Sequence, residues 1–295
     1  MQNRRLIPMN RNVVFAWSVL LAGLFSVPFF AACSDGQGEE ITINFKAMVG
    51  DKAFSCSESY ADIGTGKSPM KLVDFRFYVH KVRVINAAGE EVPVTLKEDG
   101  KWQSDRLALL DFEDHSGTCA EGKGNEGTNT SIVGYVPKKD GIKGLKFIIG
   151  VPEDINHLDA AQATAPLDQS TSMFWSWNRG YRFLRFDAIT TDTNRYAFYF
   201  GSIGCTVDDN KKLESCKFAN RVEFSFDSFD PSTNTVVADI DALLKEADVQ
   251  KADGAQAPGC MSTPETPGCA APFKAIGLTY GQDAAPKDQT FLKVE

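Results

Sequence analysis

Histidine is scarce in this 295-residue chain, and His80, His115 and His157 are the whole imidazole supply. Any catalytic triad or histidine-rich metal site must draw on those three. No GxSxG, HExxH, Walker or GxGxxG pattern occurs, so a hydrolase would have no recognisable nucleophile. The absence of CxxCH excludes covalent haem on this chain. Basic charge is also short, with 31 Lys and Arg against 39 Asp and Glu for a formal charge of −8. A nucleic-acid partner wants a basic stripe that replaces phosphate counterions, and this balance argues against one. No internal repeat is visible, and paired carboxylates in so acidic a protein carry no signal by themselves. What remains is ordinary globular material: 43% hydrophobic and 24% charged residues exclude wholesale disorder.

The first 32 residues read as a signal that the mature protein lacks. Arg4, Arg5 and Arg11 form a positive start, residues 13–30 form an apolar run, and Ala31-Ala32-Cys33 follows. Small residues directly before Cys33 match a bacterial lipobox, in which the Cys is acylated and becomes the new N-terminus. Phe30 departs from that pattern, which usually has Leu there, and a plain signal peptide cut near Ala32 is the alternative. Ser34 after the Cys resembles the sorting rule for the outer membrane, so the expectation is an outer-membrane lipoprotein facing the periplasm or the cell surface. Residues 33–40 make a short polar tether, and residues 41–295 a single domain. Removing the signal takes away three arginines and no acid, so the mature chain is more acidic still.

Six cysteines remain once Cys33 is set aside: Cys56, Cys119, Cys205, Cys216, Cys260 and Cys269. An even number in an exported chain suggests three disulfides. Sequence alone allows fifteen pairings. Spacing favours Cys205–Cys216 and Cys260–Cys269 as local loops, which leaves Cys56–Cys119. Paired cysteines are unavailable as metal thiolates.

The fold class reads as all-β. Ile41, Ile43, Phe45 and Ala47 alternate with polar neighbours, the period of a half-buried strand. In residues 72–84, Phe75, Phe77 and Val79 share one face while Arg76, Tyr78 and His80 share the other. Further strand-like runs cover residues 144–151, 181–190, 195–202, 220–226 and 235–238. Twenty-one phenylalanines lean the same way. The clearest helix is short, residues 242–247 capped by Asp239 or Asp241. Short strands separated by Gly, Pro, Asn and Asp clusters predict an antiparallel sandwich or barrel with long disulfide-stapled loops. Residues 116–131 read as a solvated loop anchored by Cys119. Its acids (Glu113, Asp114, Glu121, Glu126) lack the spacing of a calcium loop. Residues 252–272, with Pro258, Pro264, Pro267 and Pro272, read as an irregular segment held by a disulfide.

Two segments are candidates for chemistry. Residues 173–181 read Met-Phe-Trp-Ser-Trp-Asn-Arg-Gly-Tyr, and if extended they place Met173, Trp175, Trp177 and Arg179 on one face. Taken alone, such a stripe is more often core. Upstream, Gly150-Val151-Pro152 leads to Asn156-His157, with His157 in a loop and presented rather than buried. His80 lies on a strand facing away from the Phe side, where a rim position and a ligand role are equally plausible. His115, in an acidic loop, reads as solvated.

Five ordered motifs resemble one family. They are Ala108-Leu109-Leu110-Asp111-Phe112-Glu113, Gly150-Val151-Pro152 with Asn156-His157, the Met-x-Trp-x-Trp-x-x-Gly-Tyr run, Gly201-Ser202-x-Gly204-Cys205, and Gly259-Cys260-Met261-Ser262. The chain looks like an MbnP-like protein, the four-Cys member of the metallo-mystery pair system, over residues 41–277. The resemblance implies an exported, copper-linked, non-enzymatic protein. Its partner is a MauG-type di-haem protein, similar to the cytochrome c peroxidases, that oxidises a specific tryptophan to kynurenine. Opening the indole ring leaves an aryl amine and a ketone, donors that tryptophan lacks. His157 and His80 are then the imidazole candidates, Met173 a soft one, and Trp175 or Trp177 the modified side chain. Copper accepts such ligands, and binding should weaken below about pH 6 as imidazole protonates. One departure stands out: where the family often has His two residues before the Gly-Ser of the fourth motif, this chain has Tyr199. The rival readings are a metal-free structural or adhesive surface lipoprotein, and a secreted hydrolase using carboxylates.

Overall fold

Alternation of apolar and polar residues builds the first sheet. In the strand Glu39–Val49, Ile41, Ile43, Phe45, Ala47 and Val49 are buried and the residues between them are not. It pairs antiparallel with Ser131–Val136 and parallel with Thr235–Asp239, which in turn carries Leu292–Val294. The second sheet is organised by one long strand, Ser68–Ile85. The order across it is Val222–Phe226, Gly144–Ile149, Ser68–Ile85, Leu184–Ile189, Arg195–Phe200, Gly259–Cys260, and Leu107–Asp111 also pairs with the long strand. This computed structural model describes residues 38–121, 127–191, 194–208, 212–252, 257–263, 266–278 and 288–295. The signal sequence, Cys33, most of the tether, Glu126 and Pro264 lie outside the described residues, as does the side chain of Glu121.

Phenylalanine joins the two sheets. Phe45 of the first sheet meets Phe77 and Phe147 of the second, with ring centroids 6.3 and 5.7 Å apart in edge-to-face geometry. Phe291, leading into Leu292–Val294, adds edge contacts to Phe75, Phe77 and Phe224. Aromatic pairs favour such geometry because the positive ring edge meets the negative face. The result is an all-β sandwich, antiparallel apart from two parallel pairings.

The opposite face of Ser68–Ile85 is buried as well. Asp74, Arg76, Tyr78 and His80 are at most 2% exposed. The segment 152–183 covers them: the Tyr78 hydroxyl donates to the Pro166 carbonyl, and Arg76 Nη1 donates to that of Thr171. His80 is therefore not a rim histidine. The expected short helix forms at Ile240–Leu244, where the Asp239 carboxylate accepts from the N–H groups of Asp241 and Ala242. Glu153–Asn156 and Ala270–Ala275 are further short helices. The three disulfides are Cys56–Cys119, Cys205–Cys216 and Cys260–Cys269. No helix among the described residues is long and apolar enough to cross a membrane.

Candidate metal centre

A cleft of about 960 Å³ opens beside the second sheet, and both His80 and His157 line it. Trp177, Arg106, Lys212, Arg221 and Asp154 complete its walls and rim. His80 reaches it from the long strand, whose register shifts between His80 and Arg83 and whose Lys81 has φ of +49°. Such a bulge bends a strand and re-aims its side chains. The His80 ring is held by Nδ1, 2.8 Å from the Gly150 carbonyl oxygen. A carbonyl only accepts, so Nδ1 carries the proton and the ring's lone pair sits on Nε2. Burial pushes the His80 pKa down to about 4, with the Arg221, Lys81 and Arg106 charges adding to it.

His157 is fixed by the same logic from the other side. It follows the short helix Glu153–Asn156, and its Nδ1 lies 3.4 Å from the Trp177 carbonyl oxygen. Asn156 Nδ2 lies 3.0 Å from its Nε2 and acts as donor, again leaving the lone pair on Nε2. Burial lowers the His157 pKa and Arg221 lowers it further. At 9% exposure His157 is buried, with only an edge at the cleft, because the tryptophan hairpin packs over it. Asn156 ties that hairpin down: its Oδ1 accepts from the Tyr181 N–H at 3.0 Å. Gly180 permits the approach. Its φ is +71°, and a Cβ there would meet the Asn156 carbonyl oxygen at 2.2 Å.

The tryptophan run is not one extended face. Phe174–Ser176 pairs with Gly180–Tyr181, and the chain reverses between them. Met173 is fully buried in the core and is not among the residues lining the cleft with His80 and His157. Trp177 stands at the hairpin tip, 39% exposed, on the cleft wall. Trp175 turns to a different neighbourhood. The Arg179 guanidinium lies 4.4 Å from its ring centroid and that of Arg182 lies 5.4 Å away. The Tyr199 ring meets it edge-on at 6.1 Å.

Tyr199 therefore belongs beside Trp175, and it is not among the cleft residues. Its hydroxyl donates to Asp187 Oδ1 at 2.6 Å, and burial together with that carboxylate pushes its pKa up to about 12. From Asp187 the charges continue inward through Arg185 to Asp74 and Arg76. Arg76, fully buried, meets Asp74, Asp111 and Glu113 at 2.7, 3.2 and 2.8 Å. Although burial opposes the cation, these carboxylates hold it protonated. Glu113 is thus a core residue rather than a loop acid. His115 is not simply solvated either, since its Nε2 lies 3.4 Å from Glu113 Oε1.

Sequence reasoning missed Asn156, Arg106 and Arg221, and it missed the Cys205–Cys216 disulfide as a neighbour of His157, with Cys216 Sγ 3.7 Å from Nε2. Only Asn156, adjacent to His157, had a local signal.

A disulfide-stapled β-sandwich with two neutral, oriented imidazoles on one cleft is thus the class of protein that the fold and the site define. The MbnP family model matches residues 38–262. Among solved structures, MbnP from Methylosinus trichosporium superposes with a TM-score of 0.77 at 30% identity, over 87% of this chain and 98% of that one. A search of curated proteins gives no match. The chain belongs to the MbnP family.

Proposed function

We propose that this protein is an exported copper-binding protein whose site forms in the cleft between His80 and His157. It is completed when a partner di-haem oxidase of the MauG type oxidises Trp177 to kynurenine, so the chain is the partner's substrate rather than an enzyme. One observation carries this reading. Both imidazoles have Nδ1–H bound to a carbonyl oxygen, which makes Nε2 the basic nitrogen, and they line one cleft with the exposed tryptophan; at His157 a metal would displace the Asn156 amide that Nε2 accepts from. Metal-binding histidines are commonly oriented by such a second hydrogen bond. Neutral imidazole suits copper, and kynurenine would supply amine and ketone donors.

The choice of Trp177 over Trp175 rests on electrostatics. Removing an electron from an indole leaves a radical cation, and two guanidiniums already face the Trp175 ring. A new positive charge there is disfavoured. Trp177 is reachable from solvent and borders the cleft. Tyr199 does not remove a donor from this site, because its side chain lies with Trp175.

Peptide mass spectrometry on protein from its native host tests the reading. Trypsin should release residues 147–179, which hold His157, Trp175 and Trp177 without an internal Lys or Arg. A kynurenine mass shift localised to Trp177 is the expected result. A shift at Trp175 would overturn the electrostatic assignment. Intact tryptophans in both copper-fed and copper-starved cells would favour a metal-free structural lipoprotein. The same sample tests anchoring, which requires an acylated Cys33 at the mature N-terminus.

A further inference from the structure

Among the described residues, the hairpin Ile203–Val207 and Leu213–Phe218 pairs only with itself, apart from both large sheets. Cys205 stands directly opposite Cys216 across it, and the two are joined as a disulfide. The other two disulfides are sealed: Cys56, Cys119, Cys260 and Cys269 are at most 3% exposed. Cys205 and Cys216 are only half-buried. Leu213 and Glu214 of the same hairpin line the cleft. Donor atoms of His157, Cys205 and Cys216 all lie within 4.8 Å of one another. In the oxidised state the two sulfurs have no thiolate to offer.

We infer that the Cys205–Cys216 disulfide masks a second, soft-metal site: once a dithiol reduces it, the two thiolates and His157 Nε2 bind one copper(I) ion. One thiolate of the dithiol attacks a sulfur of the pair, and the S–S bond breaks to give a mixed disulfide. The dithiol's second thiol then closes its own disulfide. The dithiol is oxidised by two electrons and both cysteines are left as thiols. Binding copper(I) releases their two protons and leaves the oxidation state of the metal unchanged. Thiolates favour copper(I), a soft d10 cation. Metal–sulfur bonds of about 2.3 Å require the sulfurs to part. Rotation about the cysteine χ1 angles would supply this once the S–S bond is broken. The Trp177 carbonyl already fixes the His157 tautomer, with Nε2 toward the sulfurs, and the metal would take the place of the Asn156 amide now donating to that nitrogen. The site shares His157 with the proposed cleft site but needs no kynurenine, so reduction of the hairpin would compete with the cleft for that ligand.

The test uses the mature chain made without its partner oxidase, with intact tryptophans, reduced by dithiothreitol and desalted under argon. Alkylation without denaturant should mark Cys205 and Cys216 and spare the other four. Copper(I) titration against bathocuproine disulfonate should then show one more equivalent than the oxidised protein binds, with copper–sulfur scattering in X-ray absorption. His157→Ala should weaken that equivalent at least tenfold, and Cys205→Ser with Cys216→Ser should abolish it. Equal labelling of all three pairs, no added equivalent on reduction, or a His157→Ala variant that binds as before would each overturn the inference. Should the double Ser variant fail to fold, the His157→Ala titration still decides it. The outcome is independent of whether any tryptophan becomes kynurenine.

Discussion

Arg76 and His80 stand four residues apart on the same buried face of one strand, yet their surroundings are opposite. The Arg76 charge is answered: three carboxylates surround it, and Asp74 in turn meets Arg185. His80 has one nitrogen answered by a carbonyl and one left basic beside a cleft. Burial alone therefore does not distinguish a site from a scaffold. What distinguishes them is whether the buried group keeps unused bonding capacity that a ligand can reach. The same contrast separates Trp175, enclosed by guanidiniums and Tyr199, from Trp177, open at the cleft.

The largest expected effect lies on the scaffold side. Arg76→Met removes the guanidinium that contacts Asp74, Asp111 and Glu113, and should cost about 3–5 kcal/mol by chemical denaturation. A loss under about 1 kcal/mol would show that the carboxylates neutralise at little cost and that the cluster is no scaffold. A smaller effect is expected from Asp111→Asn. Burial, aided by the nearby Asp74 and Glu113 charges, pushes the Asp111 pKa up to about 8 against the pull of Arg76, and burial raises Asp74 to about 6. A carboxyl with a raised folded pKa binds its proton more tightly in the native state. Its stabilising contribution is full below the unfolded value and is lost as pH rises through about 8. Wild type should therefore lose stability relative to Asp111→Asn as pH rises from about 4 to 8, by less in total than Arg76→Met costs. Parallel stability curves for the two proteins across that range would contradict the assignment.

How much of this was legible in the sequence follows from how local each signal was. Ile41 to Ala47 alternated in and out, and the structure alternates the same way. The cysteine spacing matched all three pairings. Leu107–Asp111 escaped as a strand because all five residues are buried and no alternation exists to be read. The hairpin carrying Cys205 and Cys216 escaped because it is short and none of its strand residues is buried in the core. Around the site, the aromatic run, His157 and His80 were visible as residue types, but their environments were not. Alternation put His80 opposite the Phe face correctly, yet it could not say that segment 152–183 folds over that face. The neighbours that define each imidazole, Gly150 for His80 and Trp177 and Cys216 for His157, lie 70, 20 and 59 positions away. Met173 was legible as a soft residue type, but its burial in the core was not.

The histidines should show the smallest effect on stability and the sharpest on binding. His80→Ala removes a buried ring bonded to the Gly150 carbonyl, and His157→Ala one bonded to the Trp177 carbonyl and the Asn156 amide; a loss of about 1–2 kcal/mol is expected for either. Each should abolish copper retention in the cleft of partner-matured protein, measured by equilibrium dialysis. Acid sharpens the contrast further. Burial depresses both imidazole pKa values, so protons prefer the unfolded state. The stability contributed by the neutral rings is present above the ordinary imidazole range and falls as pH drops toward about 4 for His80. Copper binding should accordingly persist below about pH 6, where the sequence alone suggests it weakens, and should fail only nearer the depressed value. Half-loss of copper near the unperturbed imidazole pKa of about 6.5 would mean that at least one of the rings titrates as it does in water. The cleft would then be an open surface groove, and the contrast between an answered Arg76 and an unanswered His80 would lose its physical basis.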